Sequence, residues 1–572
     1  MPRRLLLPLL LAAAAGPAHA QTSALQAQVH AGQVFLWWDQ ATSSERLIYR
    51  HDVPIDAVTL PAASLVARVP GTSALNERRT AWEGSGDIYY VLPGGSALGP
   101  GQGLAVLTSD EARTSWFAVL ETGEAPSPGV NSLAAPVQEI PGPVDLVEQG
   151  TAVLSDGRSY LMYVSWHPTN AVTPWEIGFN VAFLPAPADR PGLGLVVRGH
   201  GGGGSYFDGF VDLPPGMPSD WAAVNIDDPW DVGEDNLTYY LGARDDHPAG
   251  DATPDDVVVL FTRRRVEYQI TWIRDHAQNG WIDPARVVQW GRSVGGAMVQ
   301  RNARRMPGFF AAGFIDHSSI DYSDPTLTSR ERFDDLWGPV SMGLPADDGL
   351  GTPAYDYLRL ASDAAALAGR DDYPILYAEH GRNDVVVGWS SVPSAYAALA
   401  AEQHAFWLRW DDSLHGGEGM PQEDEWAILL ETLEYRTDRP FLAGRNFSLD
   451  EDPGNGDPDD GDLVGYWNGR WRQYPRFHSI TSDRAITVAG LRSQGMEADA
   501  GVASATIDLT PRRCVGNGLV FQPGESVRFE SRDPVSWQLQ DLQILTADAR
   551  GFVEARNVVL TRRPRVFLWI RN

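Results

Sequence analysis

The chain has 572 residues, 74 of them acidic against 45 basic, and a formal net charge of −29. That length exceeds one ordinary hydrophobic core, so two to four domains are expected, and a composition 43% hydrophobic and 21% charged describes a folded protein. So anionic a surface repels phosphate backbones and anionic lipid heads, which argues against nucleic acid or a membrane surface as partner.

Every basic residue is Arg; no Lys occurs. A Walker A loop, a pyridoxal Schiff base and a Ser–Lys dyad are thereby excluded, since each needs a lysine amine. The lone Cys514 can form neither an intrachain disulfide nor a cysteine-rich zinc site, and no HExxH pair occurs, so the expectation is no metal and no other cofactor.

Residues 1–20 combine a basic pair (Arg3, Arg4), an apolar run over 5–15 and the small-residue site Ala18-His19-Ala20. They read as a secretory signal peptide, and the expected location is secreted or periplasmic. No later apolar run reaches membrane-spanning length, so no membrane insertion is expected after signal cleavage.

From 21 to 123 the pattern is short β-rich runs, at 33–38, 46–50, 88–92 and 116–120, separated by Gly, Pro, Ser and Asp clusters at the spacing of a small sandwich. The run Val34-Phe-Leu-Trp-Trp38, followed by Tyr49-Arg50 and Pro54-Ile55, resembles the fibronectin type III modules of secreted bacterial hydrolases. A Pro-rich stretch, 124–143, reads as a linker.

Over 144–447 apolar strand-like runs alternate with helical ones. Strands are expected at 193–198, 221–226, 286–290, 375–378 and 405–410, and helices at 256–277, 297–305 and 394–403. Strands too apolar to have a wet face argue for a parallel sheet with helices on both faces. The segments 159–166 and 175–183 suit antiparallel lead-in strands. The long connection 318–372, with Phe333, Trp337 and Tyr355, reads as a cap-like insertion. The acidic run 448–462 fails the EF-hand register, because Gly454 and Asn455 fall where a ligand and the invariant Gly belong; an extended acidic linker is the better reading, a calcium role the lesser one. The tail 463–572 reads as a second β-sandwich, whose aromatics (Tyr466, Trp467, Trp471, Tyr474, Phe477) are core or, alternatively, a polymer grip.

The chemistry centres on Gly291-Arg292-Ser293-Val294-Gly295 between an expected strand and an expected helix. A nucleophile on so sharp a turn needs small flanking residues, and the turn aims its hydroxyl at the carboxyl edge of the sheet. The Val294 N–H and the helix N-terminus point at the same space. His200-Gly-Gly-Gly-Gly204, after the strand ending at Arg198, offers the second backbone donor, from Gly201 or Gly202, with His200 holding the loop. The acid and the base should follow the nucleophile in that order. Asp384, after the strand 375–378, and His415, after the strand 405–410, fill those slots. Asp371, Asp372, Asp411 and Asp412 are alternative acids, and His317 and His380 alternative bases in the wrong chain order. Tyr206, Phe207, Trp337 and Trp389 are candidate pocket residues.

From about 150 to 440 the chain resembles the α/β-hydrolase superfamily, in its secreted-esterase and prolyl-oligopeptidase-like branches. The resemblance rests on His200-Gly-Gly-Gly-Gly204, Gly291-Arg-Ser-Val-Gly295, His380-Gly-Arg-Asn-Asp384 and His415-Gly-Gly417. It implies acyl-enzyme chemistry without a cofactor. The chain departs from the oligopeptidases in having no length for a propeller before the catalytic region. Three functions follow: an esterase acting on an extracellular ester, free or polymeric; a secreted peptidase; or a non-catalytic binding protein.

Overall fold

The computed structural model describes residues 22–83, 86–154, 156–168, 176–206, 210, 213–214, 216–228, 237–415, 422–481, 484–491 and 502–572. The expected signal peptide lies outside them, as do Phe207 and Gly416-Gly417. The chain forms two units: one of Met1–Asn76, Ser85–Val144 and Pro174–Glu176, the other of Glu77–Gly84, Asp145–Thr173 and Ile177–Asn572.

In the first unit a three-stranded sheet (Thr22–His30, Gln33–Gln40, Gln102–Thr108) faces a four-stranded one, ordered Ser64–Val69, Arg46–His51, Arg113–Leu120, Val137–Glu139. Alternate residues meet between them. Val34, Leu36 and Trp38 from one sheet pack with Ile48, Phe117 and Val119 from the other. This is a small sandwich, compatible with a fibronectin type III-like module. Two expectations are corrected. Residues 88–92 form only isolated bridges, Leu75 with Tyr89 and Val91 with Ala97. The Pro-rich stretch is no linker: Val130 O accepts from Leu25 N at 3.0 Å, Leu133 N donates to Phe117 O at 2.9 Å, and Val137–Glu139 closes a sheet edge. Its prolines remove donors, and the residues between them still pair.

The second unit is built on a ten-stranded sheet. Its strands are β1 (Val147–Val153), β2 (Ser159–His167), β3 (Ile177–Leu184), β4 (Leu193–Gly199), β5 (Trp221–Ile226), β6 (Ile282–Arg292), β7 (Ala312–Asp316), β8 (Ile375–Gly381), β9 (Phe406–Asp411) and β10 (Gly465–Trp467). Their spatial order is β1-β2-β3-β5-β4-β6-β7-β8-β9-β10. The block β5-β4-β6-β7-β8-β9 is parallel; β1 to β3 and β10 run antiparallel to their neighbours. The crossed order of β4 and β5 after antiparallel lead-in strands, with helices on both faces, is the α/β-hydrolase fold. In β4, Leu195 and Val197 face one layer and Val196 the other. Helices α1 (Phe261–His276) and α2 (Val294–Arg305) supply the first layer through Val266, Ile270 and Met298. A later helix, Gln422–Thr432, supplies the second through Ile428 and Leu429. The first of these helices starts later than its apolar pattern suggests, because Val258–Val259 pairs with Ala243–Arg244 and Asp256 accepts from Thr253 N at 2.8 Å.

The tail is a second sandwich. Phe441–Arg445, Ser504–Arg512 and Ala555–Thr561 form one sheet, and a six-stranded sheet ending in Arg565–Arg571 forms the other. Ile507, Leu509 and Val558 pack with Phe529, Phe567 and Trp569. Strands cross the boundary expected at 447–463: Phe441–Arg445 joins the tail sheet, while β10 joins the central sheet. The acidic run is not extended. The main-chain carbonyls of Asp457, Pro458, Asp460 and Asp462 all accept from the buried Arg382 guanidinium. A cation sits at the centre of this loop, and it is a side chain. Of the tail aromatics, Tyr466 and Trp471 are core and Phe477 is exposed.

Removing residues 448–572 would strip β10 from the sheet edge and take away the Gly469 carbonyl that accepts the buried Trp407 Nε1–H at 2.8 Å. An unpaired sheet edge and an unsatisfied indole both destabilise. We expect chains truncated after 447 to aggregate on expression. A soluble truncated chain with a cooperative melt by circular dichroism would show the tail to be dispensable.

Candidate active site

Six parallel strands end along one edge of the sheet, and the candidate residues sit there. Ser293 follows β6 directly and has φ 53°, ψ −118° as it enters α2. That positive φ is strained for a serine, and it is held from both sides: Ser293 N donates to Asp316 O at 2.8 Å, and Gly296 N donates to Ser293 O at 3.0 Å. The flanking glycines are required by contact. A Cβ on Gly291 would lie 2.1 Å from Gly295 O, and one on Gly295 2.1 Å from Gly199 O at the end of β4.

His415 Nε2 lies 3.0 Å from Ser293 Oγ, and its Nδ1 lies 2.7 Å from Asp384 Oδ2. Asp384 Oδ1 accepts from the N–H groups of Val386 (2.9 Å) and Val387 (3.2 Å). Burial pushes the Asp384 carboxyl up, but its hydrogen bond to His415, the charge of that imidazole and these two N–H donors bring it below the usual carboxylate value. It is therefore ionised at neutral pH and holds His415 with the proton on Nδ1. The loops bearing Asp384 and His415 are stitched together. Arg382 N donates to Asp411 O at 2.8 Å, Asn383 N to Ser413 O at 3.2 Å and Asn383 Nδ2 to Asp412 O at 2.7 Å.

The alternatives lie elsewhere. His317 contacts Asp316 at 2.5 Å and Ser413 Oγ at 3.4 Å. His380 faces Tyr396 OH, and burial lowers its pKa to about 3. Asp411 accepts from Ser413 N and pairs with Arg409, Asp412 is exposed, Asp371 accepts from Val515 N, and Asp372 pairs with Arg370.

Opposite the turn, Gly201 and Gly202 pass close to it. A Cβ on Gly201 would lie 3.6 Å from Arg292 O and 3.8 Å from Ser293 Cβ, and one on Gly202 3.8 Å from Val294 Cγ2. His200 anchors this loop. Its Nδ1 meets Gly201 O at 2.8 Å, its N donates to Tyr240 OH at 3.0 Å, and its Nε2 accepts from Asp228 N at 3.1 Å. Asp227 pairs with Arg78 at 2.5 Å and lies 3.3 Å from His200 Nε2. Burial alone would raise the Asp227 carboxyl, but Arg78 and His200 hold it low. Nothing in the sequence marks Arg78 and Asp227, 149 residues apart, as a pair.

A cavity of about 520 Å³ opens over Ser293 and His415. Gly201, Gly202 and Val294 line it, together with Leu237, Tyr239, Tyr322 and Phe333. Three expected pocket residues do not. Tyr206 is fully buried under the sheet with Tyr160 and Phe210, Trp337 donates its indole N–H to Gly242 O at 2.8 Å in a core that the insertion shares with Leu241, Val258 and Phe261, and Trp389 packs on Trp410. Rings of that size are more stable removed from water among neighbours than lining a solvent-filled space. Tyr239, which does line it, carries no motif; its ring is fixed edge-on to Phe333, centroids 5.0 Å apart.

Among the described residues one acidic group converges as a cation site would, Asp245, Asp246 and Asp256, and Arg244 pairs with two of its members.

Residues 261–430 match the prolyl oligopeptidase family (Peptidase_S9). No curated protein sequence matches the chain. Among solved structures, an S-formylglutathione hydrolase from Agrobacterium tumefaciens is similar over 51% of this chain and 99% of its own, at 15% identity and TM-score 0.37. An acylaminoacyl peptidase from Pyrococcus horikoshii is similar over 72% of this chain and 70% of its own, at 12% identity and TM-score 0.33. Acetyl xylan esterase 1 from Thermoanaerobacterium sp. JW/SL YS485 is similar over 51% of this chain and 87% of its own, at 14% identity and TM-score 0.34. The α/β-hydrolase fold, the family match across the turn at Gly291–Gly295 and the Ser–His–Asp hydrogen-bond chain describe a serine hydrolase.

Arg78→Ala would leave the Asp227 carboxylate, 1% exposed, without its ion-pair partner. Losing one member of a buried pair costs about 3–5 kcal/mol. We expect the urea midpoint to fall accordingly; an unchanged midpoint would mean that Asp227 is held by His200 alone.

Proposed function

We propose that the protein is an exported serine hydrolase that cleaves carboxylic esters through an acyl-enzyme. Ser293 attacks the acyl carbon while His415 takes its proton. Asp384 fixes the imidazole tautomer and stabilises the imidazolium. The N–H groups of Val294 and of Gly201 or Gly202 receive the oxyanion, and His415 then returns the proton to the leaving alcohol. Water, activated by the same histidine, releases the acid. The observation that carries this reading is His415 bridging Ser293 Oγ at 3.0 Å and Asp384 Oδ2 at 2.7 Å at the floor of an open cavity.

The ester preference is supported by the lining. Tyr239, Tyr322, Phe333 and Leu237 offer apolar surface to an acyl or aryl group. Among the described residues no carboxylate lines the cavity to pair with the terminal ammonium of a peptide. Export is supported by the basic, apolar, small-residue order of residues 1–20. A second reading, a secreted peptidase, is favoured by the family match over residues 261–430.

The deciding experiment compares kcat/KM for a short-chain p-nitrophenyl ester and an aminoacyl p-nitroanilide. We expect ester turnover with negligible anilide cleavage, a loss on the order of 10⁶ in kcat for Ser293→Ala and on the order of 10⁴ for Asp384→Asn. Efficient anilide cleavage would establish the peptidase instead. Full activity in Ser293→Ala would remove the nucleophile assignment.

A further inference from the structure

The aromatic rings at the cavity form one ordered group. Tyr239, Tyr322 and Phe333 all line it, and each pair of them meets steeply. Tyr239 crosses Phe333 at 82° with centroids 5.0 Å apart, Tyr322 crosses Phe333 at 69° and 5.1 Å, and Tyr239 crosses Tyr322 at 70° and 5.7 Å. Trp337 backs the group, stacked on Phe333 at 5.3 Å. This is the edge-to-face packing that aromatic rings prefer, the positive edge of one on the negative face of the next. Tyr322 and Phe333 are each 2% exposed. Tyr239 is the half-buried member, with ring surface left to offer.

The backbone is strained to put Tyr239 there. Tyr239 has φ 52° and Tyr240 φ 57°, left-handed values that bulky residues rarely adopt. A buried carboxylate holds them. One oxygen of Asp228 accepts from Thr238 N at 3.1 Å, and the other from Thr238 Oγ1 and Tyr240 N, both at 2.8 Å. Strain of this kind persists only where the surroundings enforce it, and it concentrates where ligands are bound. An apolar wall alone needs no ring at a fixed angle, and Leu237 already supplies one. Tyr239 also precedes residues 261–430, the segment matched to the oligopeptidase family, so it belongs to this chain and not to that match.

The position of the group selects one half of an ester. Leu237 stands beside the glycine-rich loop, its Cδ1 3.9 Å from where a Cβ on Gly202 would lie. Arg332, on the helix that bears Phe333, donates to Leu237 O at 3.0 Å. The departing alcohol must lie against His415 Nε2, which protonates it. That leaves the wall at Gly202 to the acyl chain.

We propose that Tyr239 makes the site selective for esters of aromatic acids, with the aryl ring of the acyl group packed on the Tyr239 ring. This rests on the ester-hydrolase reading and names its substrate class. Tyr239 is already fixed by Tyr322, Phe333 and the turn on Asp228, so binding an aryl group costs no further ordering of that side chain. A saturated ring with the same number of carbons meets the same apolar wall without a quadrupole to match it.

The test compares methyl 3-phenylpropanoate with methyl 3-cyclohexylpropanoate, by pH-stat titration of the acid released, with Ser293→Ala as background. The two share a leaving group and a carbon count, and two methylenes insulate the carbonyl from the ring. The cyclohexyl ring is the more hydrophobic, so burial alone favours it. The quantity read is the ratio of kcat/KM, phenyl over cyclohexyl, which is independent of the fraction of folded enzyme. We expect a ratio of about three or more in the wild type. In Tyr239→Leu, which keeps an apolar side chain and removes the ring, the ratio should fall to one or below; in Tyr239→Phe it should be retained. A wild-type ratio below three, or a ratio unchanged in Tyr239→Leu, overturns the proposal. A phenyl preference found only on the alcohol side, with the acetates of 3-phenylpropanol and 3-cyclohexylpropanol, overturns the acyl placement. If no ester shows turnover dependent on Ser293 while an aminoacyl anilide does, the ester reading has failed separately. The same ratio, with the same limits, is then read on the p-nitroanilides of N-acetylphenylalanine and N-acetylcyclohexylalanine.

Discussion

The contact on which the site depends is between two backbones. Gly295, in the first turn of α2, lies so close to Gly199 at the end of β4 that a methyl group there would sit 2.1 Å from a carbonyl oxygen. The close approach lets the helix start against the sheet edge and holds Ser293 at φ 53°. It also brings the glycine-rich loop after β4 alongside the turn that carries Ser293. Any side chain at 291 or 295 would push strand and helix apart, and the positions of Ser293, Val294 and Gly201 would shift together.

Around that contact the protein uses arginine where many proteins use water or short polar side chains. Arg382 collects four main-chain carbonyls of the acidic loop. Arg513 donates to the carbonyls of Phe310, Ala311 and Arg436, and so links the tail to the central sheet. Arg78 holds Asp227 beneath the glycine-rich loop. The planar fork suits this work, because one side chain can satisfy several carbonyls at fixed angles without losing its charge. Arg382 is also two residues from Asp384, so the acidic loop supports the strand end that presents Asp384 to His415. A run of aspartates that reads as a solvated linker is in fact part of the scaffold.

Two expectations failed for a common reason. The Pro-rich stretch 124–143 and the acidic run 448–462 both have the composition of linkers, but composition reports only that a segment has little apolar surface to bury. It does not report whether main-chain groups find partners, and here they do, on the strand Arg113–Leu120 and on Arg382. The aromatic pocket assignments failed in the opposite way. Tyr206, Trp337 and Trp389 are large rings near the right loops in sequence, and burial in separate cores claimed all three.

The order of strands and helices, the two flanking β regions and the choice of Ser293, Asp384 and His415 as candidates were read from the residues themselves, and the fold brings these three side chains within hydrogen-bond reach of one another. Those signals are local: apolar runs of strand length, glycines forced by a tight turn, and chain order after the nucleophile. What lines the cavity was decided only by tertiary structure. Tyr239, Tyr322 and Phe333 meet there from separate segments, and Arg78 reaches Asp227 across 149 residues. The exchange of Phe441–Arg445 and β10 between sheets belongs to the same class. A single sequence records such contacts only as unrelated residues, because the energy that selects them comes from surfaces that exist after the chain has folded.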